Sequence, residues 1–305
     1  MSVELSVVVL SWNTRELLRE CLDGLRDAMD GLSVEVVVID NGSEDGSADM
    51  VAESYPEVIL ERNPDNRGYA IGVNQGIRLS TGEKICLLGS DTRMRAGTLR
   101  TLCQFLDAHP GVGAVAPPLL NDDGTYQSAC MRFPTLKTAL WWDTPLEHFW
   151  PESRELRRYK MEDWDHTGSR DVDQPPGTCF MVLRAVVEDV GFMDERLWLF
   201  FNDVDWSMRI RQAGYAIWYV EAPGVYHKEG GSTRKYTDFA AEWHRNRVSF
   251  YKKHFNLLGS LLTKAVVIYV ALRQCVRIKR HVPFGKEYKD HCRMVLGQMW
   301  RVLHV

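Results

Sequence analysis

At 305 residues, with 45% hydrophobic and 26% charged side chains, the chain has ordinary globular composition and room for one large α/β domain plus an appendage. The net charge of -4 conceals an asymmetry, because residues 252–305 hold eleven Lys/Arg against two Asp/Glu, leaving 26 basic and 39 acidic residues before them. Seven cysteines, odd in number and without a C-x-x-C pair, exclude a disulfide framework or a zinc site and fit reduced thiols in a cytoplasmic protein.

The N-terminal Met1-Ser2-Val3-Glu4-Leu5-Ser6 lacks a basic region, so no signal peptide is expected. Residues 5–10 form a β-branched run of strand length. Thr14 then precedes a helical apolar spacing through Leu17, Leu18, Leu22 and Leu25, with Thr14 as its expected N-cap. The strand signal returns at residues 34–39 and stops at Asp40-Asn41-Gly42-Ser43, before a helix from about Ser47. A third strand near 58–60 leads to Asn63-Pro64-Asp65-Asn66-Arg67-Gly68-Tyr69 and a helix through Asn74 and Ile77. A fourth, 84–88, ends at Gly89-Ser90-Asp91. Strands and helices alternating at this spacing predict βαβ units and a mostly parallel sheet, whose ligands gather outside the carboxyl ends of the strands. Asn13, Asp40 and Asp91 fall at such ends. Residues 120–175 lose periodicity and hold Trp141, Trp142, Trp150 and Trp164, which predicts an irregular insertion. These rings are expected in core packing, on an acceptor or at a membrane interface. Regular structure resumes with a strand over 177–183 and a helix over 205–213.

The densest chemical signal is Phe200-Phe201-Asn202-Asp203-Val204-Asp205-Trp206, with His227 22 residues beyond Asp205. Two carboxylates behind an aromatic run are costly to hold near apolar surface. Such pairs are kept where a metal, a phosphate-bearing ligand or a proton transfer needs them. A dinucleotide-binding reading of the first ninety residues fails on the first turn, Ser11-Trp12-Asn13-Thr14-Arg15, which has no glycine to let a pyrophosphate approach the backbone. A P-loop is also absent.

Five motifs in this order resemble glycosyltransferase family 2, the inverting enzymes of GT-A fold, and within it the bacterial rhamnosyltransferase-like branch. They are Ser11-Trp12-Asn13-Thr14, Asp40-Asn41-Gly42-Ser43, Asn66-Arg67-Gly68-Tyr69-Ala70 with Asn74, Ser90-Asp91-Thr92, and Phe201-Asn202-Asp203-Val204-Asp205 with His227. The resemblance spans roughly residues 3–235 and implies an α/β GT-A domain over 1–235, with a mostly parallel sheet flanked by helices and a C-terminal helical extension over 236–305. It implies that Asp40 reads a pyrimidine base edge beside Ser11 and Asn13, the alternative being a helix cap. Asn66, Arg67, Gly68, Asn74 and Ser90 would join the donor site, Arg67 meeting a phosphate or simply occupying a turn. Asp91 holds the last place of the family's Asp-x-Asp element, which binds Mg²⁺ or Mn²⁺ at the diphosphate. Gly89 replaces its first Asp and removes one oxygen ligand. His227 resembles a second metal ligand or diphosphate contact, with the Gly230–Thr233 loop closing over the phosphates. An ordinary hydrogen-bonded loop histidine is the alternative.

By the same resemblance Asp203 is the general base that deprotonates the acceptor hydroxyl. Asn202 stands where the family usually has Glu, and Asp205 is the runner-up base or a first-turn acid of the following helix. Residues 255–278 are apolar but interrupted by Lys264, short of the ~20 residues a bilayer span needs. With Arg273, Arg277, Lys279 and Arg280 behind it, the segment suggests an interfacial helix on anionic lipid, or a helix packed on the catalytic domain. No motif supports nucleic-acid binding. The expected protein is a cytoplasmic enzyme, peripheral on the inner membrane face. It would move a sugar, with L-rhamnose from dTDP-rhamnose leading, from a nucleoside diphosphate to a cell-surface or polyprenyl-linked glycan. A galactofuranosyl- or N-acetylhexosaminyl-transferase, a non-catalytic nucleotide-sugar or glycan-binding protein and a nucleotidyltransferase are the competing readings.

Overall fold

A computed structural model describes residues 3–29, 31–142, 144–228, 239–279 and 286–304. The chain divides into two compact units. One comprises residues 1–133, 163–198 and 202–235, the other 134–162, 199–201 and 236–305.

The first unit begins β1 (Leu5–Ser11), α1 (Arg15–Ala28), β2 (Val34–Asp40), α2 (Ser47–Ser54), β3 (Ile59–Arg62), α3 (Tyr69–Leu79) and β4 (Lys84–Gly89), the alternation its periodicity predicts. It continues through β5 (Thr92–Met94), α4 (Thr98–Ala108), β6 (Val112–Ala116) and β7 (Leu119–Leu120). After residues 134–162, which form α5 (Leu136–Trp141), α6 (Pro145–Phe149) and α7 (Arg154–Tyr159) of the second unit, it resumes. The remaining elements are β8 (Arg170–Asp171), β9 (Cys179–Leu183), α8 (Arg184–Val190), α9 (Asn202–Gln212), β10 (Ala216–Tyr219) and β11 (Val225–His227).

Eight strands form one sheet in the order β3-β2-β1-β4-β9-β6-β10-β8. β1 to β4 pair in parallel, as βαβ connections require, and β6 pairs parallel to β10. β9 instead runs antiparallel to both β4 and β6, and β8 antiparallel to β10. The sheet is sandwiched. Val7 and Val9 of β1 face Leu18, Leu22 and Leu25 of α1 in the main core. On the opposite face α3 lies close because Gly72 and Gly76 carry no side chain. A Cβ at Gly76 would come within 2.2 Å of Val8 Cγ1, and one at Gly72 within 2.4 Å of Leu10 Cδ1. A small second sheet, β5-β11-β7, has strands of only two or three residues. The thiols of Cys21, Cys103 and Cys130 are pushed up to about 12 by burial, consistent with inert reduced side chains.

The second unit is helical. Its last elements are α10 (Phe239–Lys279) and α11 (Lys286–Leu303). α10 is two helices in one, broken where Phe255 and Asn256 leave helical geometry, Asn256 at φ 57°. Before the break, Arg247 Nη2 donates to Ala139 O and Trp142 O at the end of α5, and Tyr251 Oη donates to Thr135 O. Trp142, partly buried, packs against Tyr159, Phe201 and Trp243 in an aromatic cluster of the unit. After the break α10 packs on α11 through Val267 with Val302, and through Ala271 and Cys275 with Val295. Lys264, which interrupts the apolar run in sequence, turns its ammonium to Leu303 O at 2.7 Å. Among the described residues this is the one helix long and apolar enough, by length and composition, to cross a membrane, with an 18-residue window of mean hydropathy 1.8. The apolar run that Lys264 interrupts in sequence is thus continuous as a helix and long enough, by length, to span, and the lysine's ammonium is satisfied within the unit.

Candidate active site

The carboxyl ends of β2, β1 and β4 lie side by side, because the register pairs Ser11 with Asp40 and Leu10 with Gly89. Asp40 is 3% exposed. Its Oδ2 accepts from the Ser43 N–H at 3.0 Å and closes the turn after β2. Its buried Oδ1 has no hydrogen-bond partner among the described residues. A buried carboxylate oxygen without a donor is costly, and a ligand N–H at this strand end would satisfy it. The same carboxylate thus closes the turn without capping α2, whose N-cap is Gly46 with no side-chain capping bond, and keeps one oxygen over.

Ser11 and Ser90 are both buried and joined through Thr14, whose Oγ1 lies 2.9 Å from each hydroxyl oxygen. Thr14 precedes α1 as the sequence predicts, but its hydroxyl makes no capping bond because this chain of hydroxyls uses it. Asn13 takes a left-handed φ of 53° and donates its N–H to Ser43 Oγ, while its Oδ1 accepts from the Glu44 N–H. It ties the turn after β1 to the turn after β2.

Asn41 organises the loop before α3. Its Oδ1 accepts from Asn63 Nδ2 and the Arg67 N–H, and its Nδ2 donates to Asn66 Oδ1 and Gly68 O. Gly68 sits at φ 90° with the Trp198 ring where a Cβ would be, 2.4 Å from Cδ1, so only glycine fits. The Arg67 side chain is exposed. Asn74 does not fit its expected donor-binding place. It is fully buried, with Nδ2 on Met193 O and Glu195 Oε1 and Oδ1 on the Met193 N–H, so its amide braces the chain before α9.

Asp91 lies in the turn just before β5, and His227 ends β11. The antiparallel pairing of His227 with Thr92 brings their side chains together. His227 Nε2 lies 3.9 Å from Asp91 Oδ1. That gap is too long for a hydrogen bond and within the roughly 4.2 Å that two metal–ligand bonds of about 2.1 Å can span. The carboxylate oxygen suits Mg²⁺ or Mn²⁺, and the imidazole nitrogen tilts the pair toward the transition-metal ion of the two, Mn²⁺. Among the described residues no group of three or more His, Cys, Asp or Glu could hold a metal. The described residues thus bring two such side chains together here, and a substrate diphosphate and water would complete the shell. Gly89 also has a local meaning, since a Cβ there would meet Asp91 Oδ1 at 2.9 Å.

Asp203 lies in the first turn of α9, one turn earlier than its helix is expected to start. Burial pushes its carboxyl up from the ordinary 3.8, against backbone N–H groups of Val204 and Gly177 that pull it down. Gly177 makes room for it, since a Cβ there would stand 3.1 Å from Asp203 Oδ2. The link to Asp91 is short. Thr178 O accepts from the Gly89 N–H at 2.8 Å, and Tyr69 Oη donates to Gly177 O at 3.1 Å. The Tyr69 hydroxyl is pushed up by burial and by the charges of Asp203 and Asp91, which places it near both.

Asn202 is buried, with Nδ2 on Leu197 O and Oδ1 accepting the Asp203 N–H. Asp205 is 0% exposed and ion-paired at 3.0 Å to Arg209, which also donates to Val190 O and Phe192 O. That pairing favours its helix-acid reading over the runner-up base. Thr233 and the Gly230–Thr233 loop lie outside the described residues. Gly177 and Gln127, the latter accepting at Oε1 from His227 Nδ1, carry no sequence signal for these places, whereas Tyr69 lies inside the Asn66-Arg67-Gly68-Tyr69-Ala70 motif without an assigned role. Asn41 sits inside a recognised motif, yet its role as loop hub is visible only in three dimensions.

The family model for glycosyl transferase family 2 matches residues 6–191. The chain is 30% identical over 304 residues to the glycosyltransferase GlyG of Streptococcus pneumoniae, covering 96% of this chain and 95% of that protein. It is 28% identical over 244 residues to the N-acetylglucosaminyl-diphospho-decaprenol L-rhamnosyltransferase of Mycobacterium tuberculosis, covering 76% and 78%. Among solved structures, a mannosyltransferase from Pyrobaculum calidifontis in complex with GDP-mannose and Mn²⁺ superposes with a TM-score of 0.54 at 19% identity, over 99% of this chain and 86% of that one. With strand ends, carboxylates and sheet order arranged as above, the chain belongs to glycosyl transferase family 2: it is a glycosyltransferase of GT-A fold and a homologue of rhamnosyltransferases.

Proposed function

We propose that the protein transfers a sugar from a pyrimidine nucleoside diphosphate to a hydroxyl of a cell-envelope glycan, with inversion at the anomeric carbon. The observation that supports this best is the adjacency of the three carboxylates: Asp40, with its orphaned Oδ1, is in register with Ser11, whose hydroxyl is linked through Thr14 to Ser90 beside Asp91, and the Gly89 N–H bonds to Thr178 O next to Gly177, which abuts Asp203. Asp40 would accept an N–H of the base. Asp91 and His227 would hold a divalent cation, Mg²⁺ or Mn²⁺, which when bound neutralises charge on the departing diphosphate. Asp203 takes the proton as the acceptor oxygen bonds to the anomeric carbon and the bond to the diphosphate breaks. It then yields that proton to water. One displacement with one base and no protein nucleophile inverts the centre.

The 28% identity to the mycobacterial N-acetylglucosaminyl-diphospho-decaprenol L-rhamnosyltransferase supports L-rhamnose as the sugar and a polyprenyl-linked glycan as the acceptor, with dTDP as the carrier that the sequence resemblance implies. A basic C-terminal segment and exposed leucines on α10 favour work at the inner membrane surface. The test is to incubate the protein with Mn²⁺, a polyprenyl-linked acceptor and a panel of nucleotide sugars. Release of nucleoside diphosphate with dTDP-rhamnose at the highest kcat/KM is expected. Preference for UDP-galactofuranose or UDP-N-acetylhexosamine reassigns the sugar. Binding without turnover identifies a non-catalytic nucleotide-sugar protein, and pyrophosphate release a nucleotidyltransferase.

A further inference from the structure

The small sheet holds a hydrogen-bond chain whose polarity can be read from one end to the other. Thr125 Oγ1 donates to Asp123 Oδ1 at 2.6 Å, which spends its proton on a carboxylate. The Thr125 oxygen therefore accepts from Asn121 Nδ2 at 2.8 Å, and the Asn121 amide is fixed with Oδ1 on the other side. That oxygen accepts from Gln127 Nε2 at 3.0 Å, and the same nitrogen donates to the His227 carbonyl at 2.9 Å. With both acceptors on its nitrogen end, Gln127 presents Oε1 to the imidazole, 2.9 Å from Nδ1. An amide oxygen only accepts, so Nδ1 must carry the ring proton. In the neutral ring Nε2 is then the lone-pair nitrogen, the atom 3.9 Å from Asp91 Oδ1.

We infer that Gln127 is a positioning residue of the active site: it fixes His227 as the Nδ1–H tautomer and turns the Nε2 lone pair toward Asp91, so that a divalent cation meets two preset donors. This inference rests on the proposed function for the cation's role, but not for the tautomer. The backbone supports the side chain. The Gln127 N–H donates to Leu119 O at 2.8 Å, and β7 pairs in parallel with β11, so Gln127 and His227 are held on the same small sheet. Partners of this kind on a metal-binding histidine set ring orientation and change metal affinity by about 10–100-fold when removed.

The test reads the ring nitrogens directly. In histidine-¹⁵N-labelled, metal-free protein, His227 is expected to show a protonated Nδ1 and an unprotonated Nε2. Gln127→Met, which keeps the length and removes the acceptor, is expected to move the ring toward the Nε2–H form. It should also weaken Mn²⁺ binding in the presence of dTDP, followed by electron paramagnetic resonance, by about 10–100-fold, with kcat/KM recovered at high Mn²⁺. A wild-type ring protonated at Nε2 overturns the inference, as does a folded Gln127→Met chain with unchanged nitrogen shifts. Because the tautomer is first read in the wild-type chain, a variant that does not fold leaves that arm decisive. A wild-type Nδ1–H ring that shifts in Gln127→Met, in a protein that binds no Mn²⁺ with dTDP, supports the positioning role and removes the metal from the proposed function.

Discussion

Asp203 shows at the scale of one side chain how function and stability pull apart. Burial raises its carboxyl above the ordinary 3.8, so the folded state holds this proton more tightly than the unfolded chain does. The stability it contributes is present below the unfolded value and is lost as pH rises through the raised folded value. At neutral pH an ionised, half-buried Asp203 therefore costs stability. Asp203→Asn is expected to lower kcat by about 10²–10⁴-fold while leaving Tm equal or higher, with the Tm gap closing as pH falls through the window just above 3.8. Calorimetry across that window checks it, and a variant that is less stable at neutral pH contradicts it. The acid limb of kcat/KM should likewise lie above 3.8, because the base must be ionised to work. Gly89 yields a second outcome. Gly89→Ala puts a Cβ 2.9 Å from Asp91 Oδ1 and should weaken Mn²⁺ binding with dTDP, read by titration calorimetry. Unchanged affinity would detach that oxygen from the cation. Asp40, Asp91, Asp203 and His227 could be singled out as candidates because each lies in or just beyond a short motif at a strand end or helix start. Gln127 could not, since its partner lies 100 residues away.

Among the elements, the four N-terminal strands and their helices were legible because a β-branched run and a 3.6-residue apolar period leave few alternatives. The direction of β9 was not, for a short apolar strand reads the same either way. The β5-β11-β7 sheet was invisible because strands of two or three residues carry no period. Yet that sheet brings His227 to Asp91. α3 makes the sharpest structural prediction. Gly76→Ala gains helix propensity but drives a Cβ within 2.2 Å of Val8 Cγ1, and overpacking of this kind costs about 1–3 kcal/mol. Denaturant unfolding should therefore show a net loss; a gain would mean that α3 does not sit so close to β1.

For the whole molecule, the charge asymmetry read from composition falls on a helical unit that carries exposed apolar side chains. Leu257 is 71%, Leu261 57%, Leu272 54% and Val276 59% exposed, at spacings that follow one face of a helix. Exposed leucine beside arginine and lysine is the pattern of a surface attracted to anionic lipid. The protein should sediment with phosphatidylglycerol vesicles and not with phosphatidylcholine vesicles. Leu261→Asp with Leu272→Asp should abolish this while leaving turnover of a soluble acceptor unchanged. Equal sedimentation of the double variant would move the contact elsewhere. Residues 120–175 read as an irregular insertion because the helices within them, α5–α7, are five or six residues long, too short for a period to declare itself.

The account stands on three carboxylates from separate strands and one helix acting on a single nucleotide sugar. Its most direct test is the rate of nucleoside diphosphate release by the wild-type protein and by Asp40→Ala, Asp91→Ala and Asp203→Ala, each shown to be folded. Wild-type turnover with every variant slowed by about 100-fold or more, Asp40→Ala chiefly through donor KM and Asp203→Ala through kcat, is the predicted result. A folded variant of any of the three that turns over at the wild-type rate contradicts it.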